Sequence, residues 1–140
     1  MYYIDTSALI ALLVGEPSVD LVSRWMDHHR DERMFISEWT YTEFSSALSV
    51  KARVEKLSPS LRKLALSGFY QMGNNSLEVA AILSHHFKAA AQLADHMELG
   101  LRSGDALHLA VAMELSAEII TLDKRFATAA QTLGVRCTLL

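Results

Sequence analysis

Tyr2-Tyr3-Ile4-Asp5-Thr6-Ser7, continued by the apolar run Ala8 to Val14 and closed by Gly15, decides the reading of this chain. A short β-favouring run that halts at an acid and passes at once into an apolar segment reads as a strand, a carboxylate at its end, and a helix. The same grammar returns late in the chain. Glu118 to Leu122 is expected to form a strand ending at Asp123, followed by a last helix and a strand near Val135 to Leu139.

Between these ends the pattern keeps alternating. Pro17 suits the first position of a helix in which Val19, Val22, Trp25 and Met26 repeat at helical spacing up to His28-His29. Met34 to Ser37 is a second strand, and Ser37 or Thr40 caps a long helix to about Lys56, with Glu43 in its first turns. Ser58-Pro59 opens a helix that fades around Gly73-Asn74-Asn75, and Ser76 to Val79 is a brief third strand. Leu83, Phe87, Ala90, Ala94 and Met97 form the strongest amphipathic stripe in the chain. After a loop from Gly100 to Gly104, Ser103 can cap a helix from Asp105 to Leu115. Strands separated by helical segments predict an α/β domain, a mostly parallel sheet covered by helices on both faces.

At 140 residues the chain suits one domain, and a hydrophobic share of 51% is enough to bury a core. A net charge of -3 and a pI near 6.0 exclude a polycation that coats nucleic acid, so any RNA contact must be local. Cys137 is the only cysteine, which excludes an internal disulfide and a Cys-rich zinc site, and is expected to be a small buried hydrophobe. The opening residues carry no basic leader and Ala8 to Val14 is too short to span a bilayer, so a cytoplasmic protein with no membrane association is expected.

The chemistry lies in the acids. In an open parallel sheet, ligands bind beyond the carboxyl ends of the strands, where Asp5 and Asp123 are expected. Asp105 begins a helix whose remainder, Ala106, Leu107, Leu109, Ala110, Val111 and Ala112, is apolar enough to be buried. Glu43 stands among apolar positions too, with Trp39, Ala47, Val50 and Val54 on its side and Tyr41, Phe44 and Leu48 on another. Carboxylates gathered in a poorly solvated cleft repel one another unless a cation compensates them. Oxygen ligands select Mg²⁺ or Mn²⁺, which suits phosphodiester hydrolysis without a Ser, Cys or His nucleophile.

Taken in order, Ile4-Asp5-Thr6-Ser7-Ala8-Leu9, Thr42-Glu43-Phe44, Asp105-Ala106-Leu107-His108-Leu109-Ala110 and Thr121-Leu122-Asp123-Lys124-Arg125-Phe126 resemble the PIN-domain ribonucleases over essentially the whole chain. Within that family the likeness is greatest to the VapC toxins of VapBC-type toxin-antitoxin pairs. The resemblance implies one PIN-like domain over residues 1–140 with strand order 3-2-1-4-5. It also implies an Mg²⁺ or Mn²⁺ site and endonucleolytic cleavage of RNA leaving a 5′-phosphate and a 3′-hydroxyl. By the same resemblance Asp5, Glu43 and Asp105 are the central metal-binding carboxylates and Asp123 the more peripheral fourth. Thr6, Ser7 and Thr121 match the hydroxyls beside the acids. A homodimer and a cognate antitoxin, which lays a peptide across the active-site groove, are implied partners.

RNA approaching such a site needs nearby cations. Lys51 and Arg53 belong to the densest basic cluster, while Arg102, three residues before Asp105, is the better placed phosphate binder or an ion-pair partner of Asp105. His28-His29 and His85-His86 are adjacent on helices, where side chains point about 100° apart, and are read as separate surface histidines. His108 is read as a core or interface histidine bonded to backbone. Trp25, Tyr41, Phe44 and Phe69 are read as core or interface, and Trp39 is kept as a substrate contact.

Three alternatives stand beside this reading: a catalytically silent RNA- or protein-binding module, an RNA-processing nuclease outside any toxin pair, and phosphoryl transfer on an aspartate. A dehalogenase-like site would want an acid where Ser7 stands, and a receiver would want its aspartate near the middle strand.

Overall fold

In the computed structural model, which describes residues 1–140, the strands are β1 (Tyr2–Ile4), β2 (Met34–Ser37), β3 (Glu78–Ala80), β4 (Glu118–Thr121) and β5 (Cys137–Leu139). All neighbours pair in parallel, in the order β3-β2-β1-β4-β5. The register sets Tyr3 beside Phe35 and Ile119. Parallel neighbours require crossovers, and the helices supply them: α1 (Thr6–Val14), α2 (Val19–His28), α3 (Glu38–Val54), α4 (Pro59–Asn75), α5 (Ser84–Ala94), α6 (Ser103–Glu114) and α7 (Lys124–Thr132).

Side chains alternate across a strand, so each central strand feeds two cores. Ile4, Ile36 and Ile120 point into one, with Ala8 and Leu9 of α1, Phe44 and Leu48 of α3, and Ala65 and Phe69 of α4. Tyr3, Phe35 and Ile119 point into the other, with Leu109 and Val111 of α6 and Phe126 and Ala130 of α7. The sheet is thus covered on both faces. No single helix is long and apolar enough to cross a membrane.

The chain runs outward from β1 to β2 and β3, then returns past β1 to β4 and β5. The order therefore reverses at β1, and the crevice between the ends of β1 and β4 is the binding position of this topology. Gly15 closes α1 in the left-handed region at φ 78°, a conformation open to glycine at low cost.

Several boundaries differ from expectation. Helix α2 begins at Val19, with Pro17 in the turn before it. Strand β3 is shifted to Glu78–Ala80, because parallel pairing sets Ser37 opposite Ala80. Helix α6 starts at Ser103, and Arg102 takes the capping position because the Asp105 carboxylate accepts its backbone N–H at 3.2 Å. The stripe from Leu83 to Met97 is mostly not a buried seam: Ala90 is buried, but Leu83, Phe87 and Met97 are exposed, and Met97 lies in a separate 3₁₀ turn. On α3, Val50 and Val54 are exposed, so Glu43 shares its side of the helix with less apolar cover than the pattern implied. Cys137 is a free thiol, half-buried rather than buried.

The paired histidines also differ. His85 and His86 open α5 with ring centroids 4.2 Å apart, and both reach Glu114 at the end of α6. Their tips converge although their Cβ atoms diverge. His86 Nδ1 accepts the Leu83 N–H at 2.9 Å, which puts the neutral ring's proton on Nε2, facing Glu114. The His85–Glu114 hydrogen bond fastens α5 to α6, while His86, buried rather than at the surface, leaves its Nε2 without an aligned partner.

Candidate active site

Asp5 leaves β1 with its N–H donating to the Ile120 carbonyl at 2.9 Å, then caps α1. Its Oδ2 takes the Thr121 hydroxyl at 2.8 Å, the Ser7 N–H at 3.3 Å and the Ser7 hydroxyl. Ser7 Oγ in turn accepts the Leu122 N–H at 3.0 Å, and Thr121 Oγ1 accepts the Asp123 N–H at 2.9 Å. These hydroxyls stitch the ends of β1 and β4 together around one carboxylate oxygen. Asp123 caps α7, its Oδ1 accepting the N–H groups of Arg125 and Phe126 at 2.8 and 3.1 Å.

Glu43 reaches the same place from α3. Its Oε2 accepts the Thr6 hydroxyl and the His108 Nε2–H, the latter at 2.7 Å. Its Oε1 faces Gly104 of α6: a Cβ built there would lie 2.9 Å from that oxygen and 3.2 Å from Trp39 Nε1. Glycine at 104 is what lets α6 approach so closely.

One regularity runs through all four acids. The protein's donors fall on Oδ2 of Asp5, Oε2 of Glu43, Oδ2 of Asp105 and Oδ1 of Asp123, and in each case the other oxygen carries no hydrogen bond. Asp5, Glu43, Asp105 and Asp123 line one cleft of about 320 Å³ with Thr6, Ser7, Arg102 and Glu16. A site of this kind offers several anionic oxygens from a rigid frame and no compensating cation among its own lining residues except Arg102.

The electrostatics carry the mark of that crowding. Burial pushes the Asp105 carboxyl up, and the charges of Asp5, Asp123 and Glu43 push it further, against the hydrogen bond from Arg102 N–H. Glu43 goes the other way: burial acts to raise it, but the hydrogen bond and charge of the His108 ring, with the Thr6 hydroxyl, hold it below the ordinary glutamate value. A divalent cation held by these carboxylates would relieve this repulsion, and an all-oxygen set fits Mg²⁺ or Mn²⁺.

Thus Asp5, Glu43, Asp105, Asp123, Thr6, Ser7, Thr121 and Arg102 are brought together. Lys51 and Arg53 are not: Lys51 is paired with Glu16 and Glu55, and Arg53 lies exposed beyond the cleft's lining. Arg102 makes no ion pair with Asp105; only its backbone N–H touches that carboxylate. The notable omission is His108. It is fully buried, as a core histidine would be, yet its partners are the side chains of Glu43 and Tyr3 rather than backbone. Burial acts against its charged form, but the Tyr3 hydroxyl and the Glu43 and Asp5 carboxylates outweigh it and push the ring up to about 10. The alternating apolar pattern around it gave no sign of this beyond its place three residues after Asp105. Trp39 also approaches the site, its indole N–H buried without an aligned partner near Glu43.

Known proteins share this arrangement of chain. The PIN domain family model matches residues 2–131. The chain is 27% identical to Ribonuclease VapC35 of Mycobacterium tuberculosis, across 96% of this chain and 93% of that one. Its fold is similar to that of Mycobacterium tuberculosis VapC20, a Sarcin-Ricin loop cleaving toxin, with a TM-score of 0.72, 18% identity, and 92% and 95% of the two chains covered. It is also similar to a chain of a toxin-antitoxin complex from Klebsiella pneumoniae, with a TM-score of 0.63, 23% identity and 91% of each chain covered.

Proposed function

From the premise that the chain belongs to the PIN domain family, we propose that it is a metal-dependent endoribonuclease and the toxin of a type II toxin-antitoxin pair. The observation that carries the catalytic part is the cleft in which Asp5, Glu43, Asp105 and Asp123 each keep one carboxylate oxygen out of the protein's own hydrogen bonds. The ribonuclease and toxin names of its relatives support the substrate class and the biological role.

Asp5, Glu43 and Asp105 would hold the ion, with Asp123 at the edge of the set. Mg²⁺ or Mn²⁺ held there would make water a better nucleophile and offset charge on the phosphate. Ser7 and Thr121 fix the Asp5 carboxylate through Oδ2, and Thr6 fixes Glu43 through Oε2, so these hydroxyls orient the acids. Arg102, exposed and unpaired at the rim, meets an RNA phosphate, which the acidic lining would otherwise repel. The products carry a 5′-phosphate and a 3′-hydroxyl. The protein works in the cytoplasm as a homodimer held silent by a small cognate antitoxin, a partnership supported by the toxin-antitoxin complex among its structural neighbours.

Product ends test the chemistry. Fragments should join to an adaptor by a ligase that needs a 5′-phosphate; ends bearing a 2′,3′-cyclic phosphate would contradict water attack and point to the ribose hydroxyl as nucleophile.

Two substitutions probe the frame. Arg102→Ala should raise KM for RNA irrespective of sequence and reduce the slope of log K against log salt by about one, as loss of a single phosphate contact does. Gly104→Ala should bring no gain in thermal stability, because the roughly 1 kcal/mol by which alanine favours a helix interior over glycine is offset by the close approach to Glu43 and Trp39. Its Cβ displaces Glu43 Oε1. Cleavage should therefore fall between about 10- and 100-fold, the scale on which a misplaced catalytic group is felt.

A further inference from the structure

Glu43 is held from behind by a buried polar chain that crosses the sheet. Ser37 of β2 accepts the Tyr3 hydroxyl at 2.8 Å, the Tyr3 oxygen meets His108 Nδ1 at 2.6 Å, and His108 Nε2–H donates to Glu43 Oε2 at 2.7 Å. Ser37 is tied in turn to α3, its N–H donating to Thr40 Oγ1 at 3.1 Å. Tyr3, Ser37, Thr40 and His108 are all at 0% exposure.

Such a chain needs a reason. The rest of α6 from Ala106 to Ala112 is apolar, and an apolar side chain at position 108 would fill the core without a polar group to satisfy. His108 also ends on the one residue of α3 that enters the cleft with a charge.

We propose that His108, anchored by Tyr3, is the positioning residue that fixes the rotation of the Glu43 carboxylate by holding its Oε2. The inference rests on the nuclease reading above and deepens it. Thr6 and His108 together occupy Oε2 from two directions. Rotating the carboxylate breaks both bonds and leaves a fully buried imidazole N–H without a partner. His108 is not itself a ligand in this arrangement, because both ring nitrogens are committed, one to Tyr3 and one to Glu43.

The test uses the whole chain, freed of any antitoxin, and reads Mn²⁺ affinity by electron paramagnetic resonance beside RNA cleavage kinetics. His108→Leu keeps the volume and removes the donor, whereas the amide of His108→Gln can reach the place of Nε2 and donate to Glu43. His108→Leu should lose roughly 10- to 100-fold in Mn²⁺ affinity, as removal of a group that orients a ligand does, and kcat should fall more than KM rises. His108→Gln should recover most of that loss. Tyr3→Phe, which leaves Glu43 untouched and frees the far side of the ring, should weaken Mn²⁺ several-fold and decides the matter if His108→Leu does not fold. The parent's Mn²⁺ signal should show no modulation from a directly bound nitrogen.

Unchanged Mn²⁺ affinity in a folded His108→Leu or in Tyr3→Phe overturns the inference and leaves the nuclease reading standing. So does a directly bound nitrogen that vanishes in His108→Leu, which would make His108 a ligand. A parent that binds no Mn²⁺ and cuts no RNA overturns both.

Discussion

Asp5→Asn is expected to lower RNA cleavage by at least about 10²- to 10³-fold, the scale on which loss of one preorganised electrostatic group is felt, while the fold survives. The reason lies in how the side chain is used. Asp5 Oδ2 accepts from Thr121, from the Ser7 N–H and from the Ser7 hydroxyl, and the carbonyl oxygen of an asparagine can accept from the same donors. Asparagine also caps a helix about as well as aspartate. What changes is the other side, where an amide NH₂ replaces an anionic oxygen facing the cleft. Asp105→Asn makes the complementary case. It removes a charge that the neighbouring acids and burial already disfavour, so metal-free stability should hold or rise while activity is lost. Circular dichroism melting beside a cleavage assay reads both quantities, and a loss of activity that merely tracks loss of fold would count against a catalytic role for these acids.

Phe44→Ala should do the reverse, costing about 3–5 kcal/mol of stability. Phe44 is at 0% exposure and stacks on Phe69 with ring centroids 4.2 Å apart. It joins α3 to α4 one residue beyond Glu43, in the core shared with Ile4, Ile36 and Ile120. Alanine leaves a cavity that these helices cannot fill without shifting. The melting temperature should drop by roughly 10 °C for a domain of this size. A drop of only a degree or two would mean that this core closes over the gap.

The sequence was legible where one residue type could satisfy only one local rule. Asp5 and Asp123 stop β-favouring runs, and both indeed follow strands, β1 and β4, and cap the helices that come next. The alternation of strands and helices carried the α/β class. Strand order is different: periodicity says which face a residue takes, never which strand lies beside it, and the order 3-2-1-4-5 came from the family resemblance. Strand β3 was misplaced because an exposed edge strand shows little alternation, and Glu78 and Val79 are both exposed. The α5 stripe misled for the opposite cause. Its spacing is helical, but Leu83, Phe87 and Met97 are exposed in this chain, and periodicity cannot say whether an apolar face meets the core or the surface.

The site's supporting groups were the least legible. His108 sits in Ala106-Leu107-His108-Leu109-Ala110, where every neighbour reads as core, and nothing local says that Tyr3 and Glu43 converge on its ring. The close approach at Gly104 is likewise a property of how α6 meets α3. Contacts between elements distant in sequence decide such roles, and a single chain read in order does not carry them.

The most direct measurement is cleavage of a mixed structured RNA by the purified parent, freed of any antitoxin, across a series of Mg²⁺ and Mn²⁺ concentrations, with EDTA as the control. The four-carboxylate account predicts discrete cuts that appear with metal, vanish with EDTA and return when Mg²⁺ or Mn²⁺ is restored. RNA left intact by a folded protein at every metal concentration, or cuts that persist in EDTA, would contradict it.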